Sequence, residues 1–319
     1  MIEIIDVTLR DGGHAVSFDW PLKFSQEYYR IISQISEVKL IELGYWGQTA
    51  KSQNTHYNLD YNKVRTITQS AGLKNVSVMI DYHYCSKNFN DYPTQDQEEI
   101  GMIRMCARKQ DMVAALLFAS RLKSRCNLDV SFNVFNVSNY THPELLQVCN
   151  ALSRSSIDYV YFADTHGSLD LRKKSAGFKE YIKILGGSGI KAGMHLHDHS
   201  GKAYFNFSHL DEIGFNSTDA STCGMGKGVG NLKLEHILEK SSLPPLLQFI
   251  SQNKKLLTME SSPYGLLSSA YSVTDYYAYQ AQKRQLPLDT FNYFCQLIEG
   301  DDKDVYNESL LINFLKRAS

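Results

Sequence analysis

Strand-length apolar runs alternate with helical segments along most of the chain, and this alternation restricts the fold more than any other feature. The runs cover residues 2–9, 39–45, 75–82, 100–105, 129–135, 158–162, 192–197 and 217–221. Strands separated by helices in this way predict a parallel (β/α)8 TIM barrel, whose active site lies at the carboxyl ends of the strands. At 319 residues the chain is long enough for one barrel and an additional segment.

The alternating pattern ends at the Ser-Leu-Pro-Pro sequence of residues 242–245. Beyond it, apolar residues recur at helical spacing within residues 246–250, 266–277 and 310–315. We therefore expect a catalytic barrel domain over residues 1–243 and a helical C-terminal domain over residues 244–319.

The charge balance favours small-molecule chemistry. There are 33 Lys and Arg residues against 34 Asp and Glu residues, a net charge of -1, so we expect binding neither to nucleic acid nor to a membrane. The six cysteines form no C-x-x-C pair, as in reduced cytosolic proteins. No apolar run approaches the roughly 18 residues of a membrane span, and no basic and then apolar leader precedes the first strand. These features predict a cytoplasmic protein.

The first strand ends in reactive side chains. It leads into Arg10, Asp11, two glycines and His14, and the glycines allow a sharp turn that brings His14 back towards the strand end. Any one of these residues could belong to an ordinary loop. Glu42 lies within the apolar run of the second strand, where an unpaired carboxylate would be costly, so we expect Arg10 on the neighbouring strand to be its partner.

The seventh strand carries two histidines on one face. His195 and His197 are separated by one residue, and side chains alternate between the faces of a strand, so both imidazoles point the same way. Two histidines and one carboxylate form a facial set that suits a divalent metal and leaves positions open for substrate. Asp11 is the natural third ligand.

A glycine-rich segment covers residues 224–230, just before a predicted helix that starts near Leu232. Its backbone donors suit an anion or a carboxylate, although glycine-rich turns before helices are common. Asn231 at its end is either a metal ligand or a helix N-cap.

These motifs together resemble one superfamily. The segments that carry the resemblance are residues 8–12, 195–197, Gly201 with Ala203 and Asn206, and residues 224–231. The superfamily comprises metal-dependent lyases and synthases, including 3-hydroxy-3-methylglutaryl-CoA lyase, isopropylmalate synthase and 4-hydroxy-2-oxovalerate aldolase. His14 makes the first motif most similar to the aldolase branch. The resemblance implies an aldolase that splits a 4-hydroxy-2-oxo acid into pyruvate and an aldehyde.

The resemblance also implies roles for individual residues. The implied ligands of Mn2+ or Mg2+, with Zn2+ or Co2+ as alternatives, are Asp11, His195 and His197. Arg10 would stabilise the oxyanion that develops on the substrate, and His14 would exchange a proton with the 4-hydroxyl group. Tyr264, or a metal-bound water, would protonate the pyruvate enolate. The expected substrate-binding residues are Glu42, Arg104, Asp164 and Asn231.

The expected partners follow from the same resemblance. The substrate is a small 2-oxo acid, and we expect a homo-oligomer formed through the C-terminal helices. The aldolase branch often pairs with an aldehyde dehydrogenase, which leaves such a partner open. Aromatic residues follow several strands, among them Tyr45, Tyr84 and Tyr140, and they suggest an acceptor larger and more hydroxylated than a small aliphatic aldehyde.

Two other functions stay open at this point. The first is an acyl-CoA and 2-oxo acid synthase or lyase of the Claisen type, although a tail of about 75 residues is short for the regulatory domain of many such synthases. The second is a non-catalytic scaffold or binding subunit on the same barrel. A scaffold need not bind a divalent metal, so the metal content distinguishes it from both enzymes.

Overall fold

The computed structural model describes residues 2–48, 54–69, 75–259 and 262–318. Its parallel strands form a closed barrel, because β1 pairs with both β2 and β8. The strands are β1 (Glu3–Asp6), β2 (Val38–Tyr45), β3 (Val76–Asp81), β4 (Ile100–Ala107), β5 (Asp129–Val134), β6 (Tyr159–Asp164), β7 (Lys191–Leu196) and β8 (Ser217–Ala220). The predicted (β/α)8 barrel is confirmed.

Helices connect the strands and continue beyond the barrel. Those between strands are α1 (Leu22–Ile32), α2 (Tyr61–Thr68), α3 (Met112–Cys126), α4 (His142–Leu152), α5 (Leu171–Gly186), α6 (Lys202–Phe207) and α7 (Leu210–Ile213). The C-terminal helices are α8 (Leu243–Gln252), α9 (Pro263–Ala270), α10 (Asp275–Lys283), α11 (Leu288–Leu297) and α12 (Glu308–Ala318). The predicted helical C-terminal extension is therefore present.

The C-terminal helices pack in two different ways. Phe249 of α8 lies against α1, with its ring centre 5.1 Å from that of Phe24 and 5.6 Å from that of Tyr28. Helix α8 thus covers the barrel core. The later helices bury a separate apolar cluster that includes Val273, Tyr277, Phe291, Phe294 and Leu311. The division into domains at residues 243 and 244 stays a prediction, since α8 packs on the barrel.

The prediction of a helix that starts near Leu232 is wrong. Residues Leu234–His236 form a single 3-10 turn instead. The backbone N–H of Leu232 donates to the carbonyl of Leu196, and its carbonyl accepts from Ser221. These bonds tie the segment to the ends of β7 and β8, so a longer helix cannot begin there.

Within the described ranges, every helix is too short or too polar to cross a membrane.

Candidate active site

A cavity of about 820 Å3 opens where the barrel strands end. Its barrel side includes Arg10, Asp11, His14, Tyr45, Asp81, Tyr84, Arg108, Asn133, Tyr140, His166, His195, His197 and Lys227. Its opposite side comes from the C-terminal extension and includes Gly265, Ser268, Ser269, Thr274, Asp275, Tyr276, Asp304 and Tyr306. The cavity thus lies between the barrel and the extension, at the position predicted for the active site.

Three buried groups converge on the barrel side of this cavity. One ligand atom from each of Asp11, His195 and His197 lies within 4.8 Å of the other two. The two histidine Nε2 atoms are 3.2 Å apart, and Nε2 of His195 is 3.8 Å from a carboxylate oxygen of Asp11. Among the described residues, this is the cluster of acidic, histidine or cysteine side chains with metal-binding spacing.

The neighbouring strand fixes the orientation of His195. Asp219 on β8 pairs in register with His195 on β7, and its carboxylate accepts from Nδ1 of His195 at 2.8 Å. The same oxygen accepts from Arg104 at 2.7 Å. Because Nδ1 is used in this way, Nε2 is the ring nitrogen that faces Asp11 and His197.

Unsatisfied polar atoms test whether a metal suits this cluster. Nδ1 of His197 and Oδ1 of Asn231 are both buried, and neither has a hydrogen-bond partner among the residues that the structure describes. The amide nitrogen of Asn231 donates to Asp11 at 2.8 Å and to the carbonyl of Met225 at 3.1 Å. Two facing imidazole nitrogens beside a carboxylate form a donor set for a divalent cation, so the residues fit this group.

Charge keeps the Asp11 carboxylate ionised. Burial works against ionisation, but the neighbouring basic groups, with Arg10 contributing most, together hold the pKa of Asp11 well below its ordinary value. Arg10 donates to Asp11 and to Glu42, each at 2.5 Å. The predicted pairing of Arg10 with Glu42 is therefore confirmed. It leaves the Arg10 guanidinium in the cavity wall, next to the candidate metal ligands.

His14 opens to the cavity beside Tyr45. Its Nε2 lies 3.2 Å from the Tyr45 hydroxyl. Desolvation by the cavity wall lowers the pKa of the His14 imidazole to about 4, so the ring is neutral near pH 7 and can accept a proton. Burial also raises the pKa of Tyr45 well above its ordinary value, so this hydroxyl stays protonated.

The glycine-rich loop brings a lysine into the cavity. Lys227 forms a 2.9 Å ion pair with Asp275 at the start of α10, and this pair joins the barrel to the extension. The charge of Asp275 raises the pKa of Lys227. Gly230 closes the loop in a left-handed conformation, where a Cβ atom would lie 2.5 Å from the carbonyl of Gly224.

The predicted substrate-binding residues lie beneath the cavity rather than in its wall. Glu42 and Arg104 are completely buried, and Arg104 bridges Glu42 at 3.2 Å and Asp219 at 2.7 Å. Asp164, also fully buried, accepts from the backbone N–H groups of Ser168 and Leu169. Asn231 contacts Asp11. None of the four lines the cavity, and substrate binding by these residues stays a prediction.

Tyr264 is not placed for the predicted acid role. Its hydroxyl donates to the carbonyl of Leu286 at 2.5 Å, and its ring packs on Phe291 with centres 5.6 Å apart. The side chain belongs to the apolar cluster of the extension and lies outside the cavity wall. The packing of α9 against α11, which the sequence does not reveal, sets this orientation.

Sequence reasoning missed Asp219, Lys227 and Asp275. Asp219 lies in the predicted eighth strand, but its contact with His195 depends on strand register. Lys227 was visible inside the glycine-rich motif, and its position among glycines was a usable signal. Asp275 has no such signal, because the fold of the extension brings it to the cavity.

Comparison with known proteins decides the family. A family model described as HMGL-like matches residues 1–242. This chain belongs to the HMGL-like family. The match spans the whole barrel, and it includes Asp11, His195 and His197.

Curated relatives of this HMGL-like protein include a decarboxylase and aldolases. An oxaloacetate decarboxylase from Mycobacterium tuberculosis is 24% identical over 245 residues, which cover 73% of this chain and 67% of that protein. A 4-hydroxy-2-oxovalerate aldolase from Spirochaeta aurantia is 24% identical over 252 residues, which cover 74% of this chain and 69% of that protein.

Solved structures support the fold. The N-terminal domain of a Bacteroides vulgatus protein described as an aldolase superposes with a TM-score of 0.68 at 18% identity, covering 100% of both chains. The carboxyl transferase domain of Rhizobium etli pyruvate carboxylase, solved with pyruvate, has a TM-score of 0.72 at 13% identity. That match covers 99% of this chain and 62% of the other.

Proposed function

We propose that this protein is a divalent-metal-dependent aldolase that reversibly splits a 4-hydroxy-2-oxo acid into pyruvate and an aldehyde. The observation that carries the proposal is the convergence of Asp11, His195 and His197 beside a neutral histidine, His14, in one cavity. The names of the curated relatives support the same type of reaction, since both a decarboxylase and an aldolase break a carbon–carbon bond next to a 2-oxo acid.

Asp11, His195 and His197 would hold the metal, and Asp219 and Asn231 would orient the ligands. Mn2+ or Mg2+ suits an oxygen-rich substrate, with Zn2+ or Co2+ as alternatives. When bound, the metal supplies Lewis-acid polarisation of the substrate oxygens.

The remaining steps belong to side chains of the chain itself. Arg10, fixed by Glu42 and Asp11, directs donors at the keto oxygen as negative charge develops there. His14 accepts the proton of the 4-hydroxyl group as the carbon–carbon bond breaks, and it returns the proton in condensation. The low pKa of His14 leaves the ring free to act as this base near neutral pH.

We further propose an aldehyde that is larger than acetaldehyde and carries hydroxyl groups. The cavity volume of about 820 Å3 exceeds the needs of a three-carbon acid and a two-carbon aldehyde. Besides the candidate metal ligands, polar side chains line the cavity, among them Tyr84, Arg108, Asn133, Asn136 and Tyr140. Cleavage rates for adducts of acetaldehyde, propanal and glyceraldehyde test this. Far faster cleavage of the acetaldehyde and propanal adducts than of the glyceraldehyde adduct would contradict the proposal of a hydroxylated aldehyde.

The central experiment is proton NMR of pyruvate in deuterated buffer with Mn2+ or Mg2+. We expect the methyl protons to exchange when metal is present, and the exchange to disappear in Asp11→Ala. Absence of exchange together with consumption of acetyl-CoA and a 2-oxo acid favours the Claisen-type synthase. A protein that neither binds nor recruits a divalent metal is a scaffold instead.

The assembly is a separate proposal. Apolar side chains of the C-terminal helices are exposed, including Leu288, Tyr293, Leu297 and Ile312. We propose a homo-oligomer through these helices, and light scattering of the purified protein tests it. An aldehyde dehydrogenase partner stays a prediction of the family resemblance.

A further inference from the structure

A hydrogen bond joins the proposed base to a tyrosine of the second strand. Nε2 of His14 lies 3.2 Å from the hydroxyl of Tyr45, and both residues line the cavity. In the part of the chain that the structure describes, this is the side-chain hydrogen bond that His14 makes. Nδ1 is therefore available to a substrate, while Nε2 is linked to Tyr45.

Aromatic packing holds the two rings in this arrangement. Phe18 packs edge-on against His14 with ring centres 4.9 Å apart, and it lies 5.9 Å from Tyr45. Tyr57 lies 5.7 Å from the Tyr45 ring on another side. Gly13 makes room for Phe18, because a Cβ atom on Gly13 would lie 2.4 Å from the Phe18 ring. The loop after β1 is thus built around this pair.

The aldol reaction needs a group that protonates the enolate carbon, and Tyr264 does not provide it. The hydroxyl of Tyr264 donates a hydrogen bond to the carbonyl of Leu286, outside the cavity. Other cavity tyrosines are present, but the Tyr84 hydroxyl accepts from Arg108 at 3.1 Å. Tyr45 differs from them because its hydroxyl contacts the proposed base directly.

We propose that Tyr45 is the general acid that protonates the enolate carbon, and that it exchanges its proton with His14. The inference rests on the proposed aldolase function. It adds a second catalytic residue to that reaction and assigns it to β2, on the barrel side of the cavity.

The proton transfers balance without an external acid. In cleavage, Nδ1 of His14 takes the 4-hydroxyl proton, the bond between carbons 3 and 4 breaks, and its electron pair enters the enolate. Nε2–H of His14 passes its proton to the Tyr45 oxygen as the Tyr45 O–H proton moves to carbon 3. The 4-hydroxyl proton therefore ends on Nδ1 of His14, and the Tyr45 proton ends on carbon 3. Pyruvate and the aldehyde are released, and proton exchange of His14 with water restores its Nε2–H tautomer. Condensation runs the same transfers backwards.

The electrostatic surroundings support this relay. Burial raises the pKa of Tyr45, so its hydroxyl is fully protonated before the reaction. Desolvation by the cavity wall lowers the pKa of His14 to about 4, so an imidazolium formed there returns its proton readily. The guanidinium of Arg10 lies 6.0 Å from the Tyr45 ring centre, so the proposed oxyanion-stabilising group and the proposed acid are neighbours.

The test is methyl exchange of pyruvate in deuterated buffer with Mn2+, measured for Tyr45→Phe. This change removes the hydroxyl and keeps the ring that packs on Phe18. We expect exchange to fall by about 100-fold or more, the usual contribution of a general acid or base. Mn2+ binding, followed by electron paramagnetic resonance, should stay unchanged. Adding His14→Asn should slow exchange little further, because the two residues act in one relay.

Matched variants separate catalysis from packing. Tyr57→Phe, in the same aromatic group, and Tyr264→Phe should both exchange at the wild-type rate. Wild-type exchange in Tyr45→Phe, or loss of exchange in Tyr264→Phe alone, overturns the role of Tyr45. Additive losses in the His14 and Tyr45 variants also overturn the relay. If the wild-type protein itself shows no exchange, the proposed aldolase function is what fails.

Discussion

At the scale of single residues, Asp219 determines which ring nitrogen His195 presents to the candidate metal site. Its carboxylate binds Nδ1 of His195 and the guanidinium of Arg104 together. An oriented imidazole binds metal more tightly than a free one, and such partners contribute about 10–100-fold to metal affinity.

We therefore predict that Asp219→Asn weakens Mn2+ binding by about 10–100-fold. Titration calorimetry with Mn2+ measures the affinity of both proteins. Ser217→Ala is the matched control, since Ser217 lies on the same strand and donates to Tyr161 at 2.8 Å instead of contacting His195. Equal affinities for wild type and Asp219→Asn contradict the prediction.

The buried carboxyl group of Asp6 makes the free energy of unfolding depend on pH. Burial raises its pKa from 3.8 to about 7, against hydrogen bonds from Tyr28 and Thr8. Between these values the folded state binds more protons than the unfolded state, so the free energy of unfolding falls as the pH rises through this window. Asp6→Asn should remove this contribution. Denaturant unfolding of both proteins between about pH 4 and pH 8 measures the difference in slope, and parallel curves contradict the prediction.

Residue-scale predictions from sequence succeeded where the information was local. The alternation of a strand places His195 and His197 on one face, and a buried Glu42 requires a cation such as Arg10. The orientation of Tyr264, whose hydroxyl donates to Leu286, could not be predicted because helix packing in the extension decides it. The contact of Asp219 was missed because register between strands is not visible in one sequence.

At the scale of elements, α8 belongs to the barrel by its contacts. Phe249 is almost fully buried against the rings of Phe24 and Tyr28 on α1. This packing explains why the change from strands to helices at residue 243 does not coincide with a change of hydrophobic core.

We predict that Phe249→Ala lowers the free energy of unfolding by about 3–5 kcal/mol, the usual cost of truncating a buried aromatic side chain. Leu247→Ala on the same helix is the control. Leu247 is 49% exposed, so its truncation should cost no more than about 0.5 kcal/mol. Chemical denaturation measures both, and similar costs for the two variants would mean that α8 does not stabilise the barrel.

Element boundaries were predictable to different degrees. The strand pattern identified the barrel because parallel strands buried on both faces form continuous apolar runs. The prediction of a helix after Asn231 was wrong because backbone hydrogen bonds to the ends of β7 and β8 outweigh local helical preference. Such long-range bonds have no local signature.

At the scale of the whole molecule, the ion pair of Lys227 and Asp275 joins the barrel to the extension across the cavity. The pair is partly open to solvent, so we expect Asp275→Asn to cost no more than about 1 kcal/mol of stability. The start of α10 should instead separate from the barrel more often. Hydrogen exchange should quicken at the start of α10 and stay unchanged in the barrel strands. Unchanged exchange in α10 would show that other contacts hold the extension in place.

The two walls of the cavity come from parts of the chain with different relationships to known proteins. The family match ends at residue 242, whereas Ser268, Thr274, Tyr276 and Tyr306 lie beyond it. Under the proposed function, the barrel residues would carry out bond cleavage, and residues beyond 242 would contribute to selecting the aldehyde of this protein. For this reason a relative's name bears on the chemistry of the barrel, whereas the proposed aldehyde preference depends on this chain's own extension.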